Sequence, residues 1–427
     1  MSDDSLAKKI CRYLKKRKLD QEWKAADDPR GKSGRRWALE AMLQTLFGGL
    51  LALKPSLHRL DEDLRAGNGV LPGQLHPAPV PDSTLQWLLA KLDPAWFRAL
   101  LGRWVRREIA RKSLEGQSLP IHAVAFDGKC LRVGQEPCCP NCQPQRRGKD
   151  QPRFLHRVIR VIAISCEPKV FLDQKPLGAH ENEMGAFRAF WEEVVGAFQG
   201  WFEVATFDAG FTSLANATRV DDDGYGYVMA LKENQPELLR EAKRLLEPVA
   251  AEGKAEAVTW DRDHGQWVRR SLYRTPEIAG WLDWTHLRQG WLVRTEKFSD
   301  QQRPAAGTPA QEVEDRYFLT NLLWNRLKGE GILALVRAHW GIENQGFRTL
   351  DMEWEEDYGR PWCSQGWAVD VVGYLRLLAY NVLQLAKGRY LRRRYRDRTL
   401  RSFVEEVVQA FVEERAVQRA LRAMRPG

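Results

Sequence analysis

A chain of 427 residues with 44% hydrophobic side chains can bury a large core in two or three structural units, which excludes a small disulfide-stapled scaffold. Lys and Arg outnumber Asp and Glu by 66 to 56, a formal net charge of +10, and that excess suits a polyanionic partner, nucleic acid foremost, although a merely basic protein has the same balance. The longest apolar stretch, residues 37–53, is interrupted by Glu40, Gln44 and Thr45 and falls short of the ~20 residues that cross a bilayer, so it reads as a buried helix and no membrane partner is expected.

The chain opens MSDDSLAKKICRYLKKRK, without the apolar segment of a secretory signal, and the cytoplasm is the expected compartment. Residues 1–115 read as an all-helical N-terminal domain, a candidate DNA-binding unit. Within it, Asp82 or Ser83 can cap a helix whose Leu85, Leu88 and Leu89 share one face, and Asp93-Pro94 opens the next. From about 120 the pattern changes to strand-length runs, HAVAFDG, RVIRVIAIS and KVFLDQKPLG, followed by a helix with Met184, Phe187, Phe190, Trp191, Val194 and Val195 on one stripe, then the strand WFEVATFDAG. The strand YGYVMALK follows a further helix. Residues 236–326 form a β-rich insertion, helix returns over 331–354, and two more helices close the chain. The expected division is a helical unit at 1–115, a catalytic core at 120–235 and 327–390, the insertion at 236–326, and a basic helical tail at 391–427.

Asp127 and Asp208 each end an apolar strand, and Glu343 lies on a later helix. In an open mixed sheet, functional groups gather beyond strand ends, so carboxylates from neighbouring strands can reach one point. Clustered carboxylates repel unless a cation neutralises them, which implies a divalent metal; oxygen-only ligands favour two Mg2+ (or Mn2+) ions. A single Asp at a strand end is more often a turn or helix cap. The order strand, strand, strand, helix, strand, with acids on the first and fourth strands and on a later helix, raises the functional reading, because it describes an RNase H-like α/β core.

Five segments, FDGKCLR at 126–132, FDAGFTS at 207–213, ALKENQPEL at 230–238, RDHGQWVRRSLYR at 262–274 and RAHWGIENQGFRTLDMEWEED at 337–357, resemble the DDE transposases of bacterial insertion sequences, in particular the H-repeat-associated group linked to Rhs elements. DPRGKSGRRWALEAML and PDSTLQWLLAKLDP resemble the helical segment that precedes the catalytic domain in that group. The resemblance implies Asp127, Asp208 and Glu343 as the catalytic, metal-holding acids of an enzyme that cleaves phosphodiesters at element ends and transfers the 3′ hydroxyl to target DNA. It also implies double-stranded DNA as partner, a homodimer in the DNA complex, and a prokaryotic, nucleoid-associated setting. A catalytically silent DNA-binding protein of the same fold and a metal-dependent nuclease are the alternatives.

Several neighbours are candidate DNA contacts. Lys129 is placed toward the scissile phosphate, Lys232 and Asn234 on the DNA backbone, His264 and Arg269 on a hairpin against DNA, and Arg337 and His339 on the helix of Glu343, with His339 equally readable as packed. The acidic run Glu353, Glu355, Glu356 and Asp357 reads as a solvated face outside the site. Gln345, Gly346, Phe347 and Arg348 replace the aromatic His-Trp pair usual in the group, which is expected to alter packing. A long loop after the first strand carries Cys138, Cys139 and Cys142 beside Arg146, Arg147 and Lys149. Its C-x2-C spacing is a zinc half-site that Cys130, Cys138 or His156 could complete, yet with no second C-x2-C a flexible basic loop with incidental thiols is preferred to a structural zinc. The run RYLRRRYRDRTLRS has few acidic partners nearby and is expected to meet DNA.

Overall fold

The computed structural model describes residues 5–67, 80–115, 118–145, 153–263, 265–299, 303–305, 307–358, 362–391 and 393–423. Six helices come first: α1 (Leu6–Lys16), α2 (Leu19–Lys24), α3 (Leu39–Leu51), α4 (Leu57–Arg65), α5 (Asp82–Leu89) and α6 (Pro94–Ala110). Asp93 caps α6 by accepting from the Ala95 N–H, with Pro94 in the first turn where a missing N–H costs nothing. Four strands follow, β1 (Ala123–Gly134), β2 (Gln143–Gln145), β3 (Arg153–Ala163) and β4 (Val170–Pro176), then α7 (Glu183–Phe198), β5 (Val204–Phe207), α8 (Leu214–Asp222), β6 (Gly226–Leu231) and α9 (Pro236–Ala251). The remaining elements are β7 (Ala257–Asp263), β8 (Gln266–Thr275), β9 (Gln289–Phe298), β10 (Glu312–Thr320), α10 (Gly329–His339), α11 (Arg348–Trp354), α12 (Ala368–Leu385) and α13 (Leu400–Ala423).

All ten strands join one mixed sheet in the order β2-β3-β1-β5-β6-β10-β9-β8-β7, with β4 also on β3. β4, β3 and β1 run antiparallel, while β1, β5 and β6 run parallel. That is the RNase H-like arrangement, with helices on both faces. Its central strands are apolar in unbroken runs because both faces are covered. The strands of the 236–326 segment extend this same sheet, since β10 pairs antiparallel with β6 and leads into a meander through β9, β8 and β7.

Both ends of the chain pack into the same core. One hydrophobic cluster runs from Ala7 through the sheet to Phe411. The Tyr13 hydroxyl donates to the Val382 carbonyl at 3.0 Å, the Trp354 indole to the Leu50 carbonyl at 2.9 Å, and α6 is held to β4 by a two-pronged Arg98–Asp173 pair. α12, buried along nearly its whole length, is the axle between the helical layer and the sheet. In the basic segment 389–402, Arg394 and Arg398 pair with Glu406 on α13, and Arg401 with Glu353. Among the described residues, no helix is long and apolar enough to cross a membrane.

Candidate catalytic site

β1 and β5 are parallel neighbours whose pairing stops at Phe126 opposite Phe207, so the next residues, Asp127 and Asp208, come side by side; Asp208 ends its strand as expected, whereas Asp127 does not, because β1 continues to Gly134 with Asp127 opposite Arg160 of β3. The alternation of a strand decides which way they face. Phe126 and Phe207 stack on each other at 5.3 Å and bury against Phe187 of α7, so the acids that follow them face away from that apolar contact. Burial pushes the Asp127 carboxyl up to about 8, reinforced by the charges of Asp208 and Glu343. Asp208 is also raised by burial, opposed by the Gly210 and Phe211 N–H groups and by Lys232. Its Oδ1 is buried with no hydrogen-bond partner. A buried acceptor left unpaired is costly, and a cation is the partner such an oxygen fits.

Glu343 is held differently. The helix expected over 331–354 is broken: α10 ends at His339, and residues Ile342–Phe347 form a π-helical turn before α11. Such widened turns concentrate at functional sites because the extra residue re-aims a side chain. Close packing accompanies this one. A Cβ on Gly346 would lie 2.8 Å from the Phe171 ring, and one on Gly341 2.3 Å from Cε of Lys169. Phe347 lies parallel to Phe171, ring centroids 6.3 Å apart. The sequence departure at Gly346 and Phe347 is therefore a packing solution that seats the Glu343 turn on β4, and Glu343 itself remains exposed.

The structure adds a carboxylate that sequence reasoning missed. Glu183, the first residue of α7, reaches back to the strand ends: a Cβ on Gly128 would sit 1.9 Å from its Oε1, and one on Gly210 3.4 Å from its Oε2. At Gly128 a side chain would have to displace that carboxylate, whereas at Gly210 it would only touch it. Burial raises the Glu183 carboxyl while Arg157 pairs with it. In sequence it is indistinguishable from an acid placed for the helix dipole in a first turn.

The acidic run after the turn is corrected in part: Asp357 is exposed as a solvated face requires, but Glu356 is fully buried, accepting from both Arg160 Nη atoms at 2.6 and 3.0 Å, with Arg376 at 3.6 Å. Glu353 pairs with Arg401 on α13, and Asp357 with Lys129. Glu356 and Asp357 thus tie the segment after α11 to β3 and β1 through paired charges.

The proposed DNA contacts separate into distinct groups. Lys232 is exposed near Asp208, and Arg337 is half exposed while pairing with Asp261 at 2.5 Å. Four are engaged within the protein itself, His339 in the packed reading already open to it. Lys129 is enclosed by Asp351, at 2.7 Å, and Asp357. Arg269 makes a two-pronged pair with Glu296. The Asn234 amide donates to the Ala209 and Thr212 carbonyls at 2.7 and 3.2 Å, shaping the loop after Asp208. His339 is buried beneath the sheet, its Nδ1 2.8 Å from the Thr206 hydroxyl, and burial lowers it to about 4, so it is a neutral packed imidazole. His264 lies outside the described residues, as do Arg146, Arg147 and Lys149.

The thiols expected to be incidental converge instead. Cys138, Cys139 and Cys142 meet His156 of β3, whereas Cys130 bonds to the Arg132 carbonyl.

A family model described as a transposase DDE domain matches residues 119–357. An uncharacterized protein in the dhlA 3′ region of Xanthobacter autotrophicus is 28% identical over 234 residues, covering 54% of this chain and 68% of that protein. The solved piggyBac transposase synaptic complex with hairpin DNA aligns over 100% of this chain and 84% of its own at 15% identity, with a TM-score of 0.42.

Proposed function

This chain belongs to the transposase DDE domain family, and on that premise we propose that it binds the DNA ends of a mobile element, hydrolyses them to free a 3′ hydroxyl, and joins that hydroxyl to target DNA. The observation that carries the reading is the unpartnered buried oxygen of Asp208 beside an Asp127 carboxyl raised to about 8 by burial and by Asp208 and Glu343. Oxygen donors so arranged fit Mg2+ or Mn2+, with Asp127, Asp208 and Glu343 holding them. Two such ions, when bound, activate the attacking oxygen and stabilise the leaving one in an in-line displacement.

The chain's own residues supply the rest. The apolar contacts of Phe126 and Phe207 hold the first two acids at matched height, the π turn brings in Glu343, and Asn234 keeps the Asp208 loop in shape. Lys232 offers positive charge beside Asp208 where a phosphate would arrive. A cleft of about 880 Å3 between α10 and the β7–β8 hairpin is lined by Arg270, Arg337, Arg348 and Trp260, a combination suited to a nucleic-acid backbone. We assign element-end DNA to this cleft, with the helical segment 1–115 and the 236–326 extension as the flanking grips. Within that family we assign it to the H-repeat-associated group, a reading supported by the motifs FDGKCLR and HWGIEN. Because two ends must be joined, it acts as a dimer, on DNA in the nucleoid.

The test is strand cleavage and joining on DNA carrying the element's ends, with Mg2+, comparing the native protein with Asp208→Asn. Both activities lost in the variant is the expected result. Cleavage without joining in the native protein would make it a nuclease, and tight binding with neither activity would make it a silent binder.

A further inference from the structure

We propose that Cys138, Cys139, Cys142 and His156 form a closed, structural Zn2+ site, separate from the carboxylate centre. The four ligand atoms lie within 4.8 Å of one another. Cys138 Sγ is 3.3 Å and Cys139 Sγ 3.9 Å from Cys142 Sγ, and His156 Nδ1 is 3.3 Å from Cys139 Sγ and 4.0 Å from Cys142 Sγ. A tetrahedron with Zn–S near ~2.3 Å and Zn–N near ~2.0 Å has edges of roughly 3.5 to 3.8 Å. The measured edges bracket those values.

The surroundings are built for a metal in ways a chance cluster is not. His156 is wholly buried, and its other nitrogen, Nε2, meets Asp370 Oδ1 at 2.8 Å. A carboxylate on the far nitrogen orients a metal-bound imidazole and aims the near one at the metal. Cys139 and Cys142 are buried, the Cys142 N–H donates to the Cys139 carbonyl at 3.2 Å, and the Cys138 N–H points at Cys142 Sγ at 3.3 Å. A disulfide would account for two of the four groups and leave a buried thiol and a buried imidazole facing it.

Three thiolates and an imidazole select zinc over the hard ions that carboxylates hold, so the chain's two metal demands are chemically distinct. Four protein ligands leave no open position, which makes the role structural. The ion would pin the excursion between β1 and β2 to His156 on β3 and, through Asp370, to the first turn of α12. His156 pairs with Arg132 on β1, the strand that carries Asp127, so the clamp steadies the far end of that strand. Binding replaces the thiol protons, which are released to solvent.

The experiment is metal analysis of the full chain purified without metal-affinity resin, under reducing conditions, after dialysis against metal-free buffer without chelator, which removes weakly held Mg2+ but leaves a closed thiolate site loaded. One zinc per chain is expected, in Asp208→Asn as in the native protein. Cys142→Ser and His156→Ala should lose it, and His156→Cys should regain it. Cobalt substitution of the native protein, which needs no variant to fold, should give the visible bands of a tetrahedral thiolate site. Native protein free of zinc, or an intact mass short by the two hydrogens of a disulfide, would overturn the proposal.

Discussion

Asp127 and Asp208 on one side and Glu356, Asp351 and Asp357 on the other form two sets of acids, and their difference separates a working carboxylate from a structural one. Asp127 and Asp208 are half-buried and raised by the desolvation of their carboxyls, and among the described residues neither has an ion pair. Glu356 is more deeply buried, yet Arg160 and Arg376 more than reverse the effect of burial and its carboxyl lies below the usual range. Lys129 likewise serves Asp351 and Asp357, although burial and the neighbouring acid still push Asp351 up to about 7. Burial is common to both sets. The first set has no paired cation of the protein's own among the described residues, and that need is what a metal ion would meet.

The sharpest way to break the comparison is to neutralise each set. Asp208→Asn or Glu343→Gln should cut strand cleavage by at least about 10^3-fold, because several kcal/mol of transition-state charge stabilisation depend on the ions they hold, while leaving denaturant stability unchanged or higher. Glu356→Ala should do the reverse. It strands Arg160 and Arg376 in the core and should cost about 3 to 5 kcal/mol in a denaturant titration, whereas a titration that left stability intact would place Glu356 among the working acids.

Titration sharpens the same contrast. Asp127 has a folded value near 8 against an ordinary 3.8, so the folded state holds a proton the unfolded chain has released. Its contribution to stability is fully present below about pH 4 and is lost as pH rises toward 8, with a slope of at most about 1.4 kcal/mol per unit. Metal-free protein should therefore lose melting temperature across that window. Mg2+ should reverse the loss and Asp127→Asn should abolish it; a flat profile in the metal-free native protein would sink the assignment. Gly128→Ala should cost about 1 to 3 kcal/mol by driving a methyl into Glu183, and a second change, Glu183→Ala, should restore most of it. The smallest effect belongs to Asp357→Ala, at most about 1 kcal/mol, since that carboxylate is 59% exposed.

Much of this was legible locally. Unbroken apolar runs marked the central strands, the stripe from Phe187 to Val194 marked α7, and Asp-Gly and Asp-Ala-Gly after two such runs marked the acids. Their meeting follows from the parallel pairing of β1 and β5, which stops one residue before each acid although β1 itself runs on to Gly134. Other features had no local signature. The acids at 353–357 have the composition of a solvated face, and their partners Arg160, Lys129 and Arg401 lie 196, 228 and 48 residues from Glu356, Asp357 and Glu353. Glu183 looks like any first-turn acid until β1 and β5 are set beside it.

What the sequence by itself determined is the main run of elements and their RNase H-like order, since each rests on short-range periodicity. Tertiary structure alone decided which charges are spent and which are free: that His339 is packed, that Lys129 and Arg269 are paired, that Glu356 is sealed in the core, and that three thiols find His156 and Asp370. Charge and metal affinity depend on the dielectric and the neighbours around a group, and those are set by chain segments that meet only when the whole sheet and α12 close on one another.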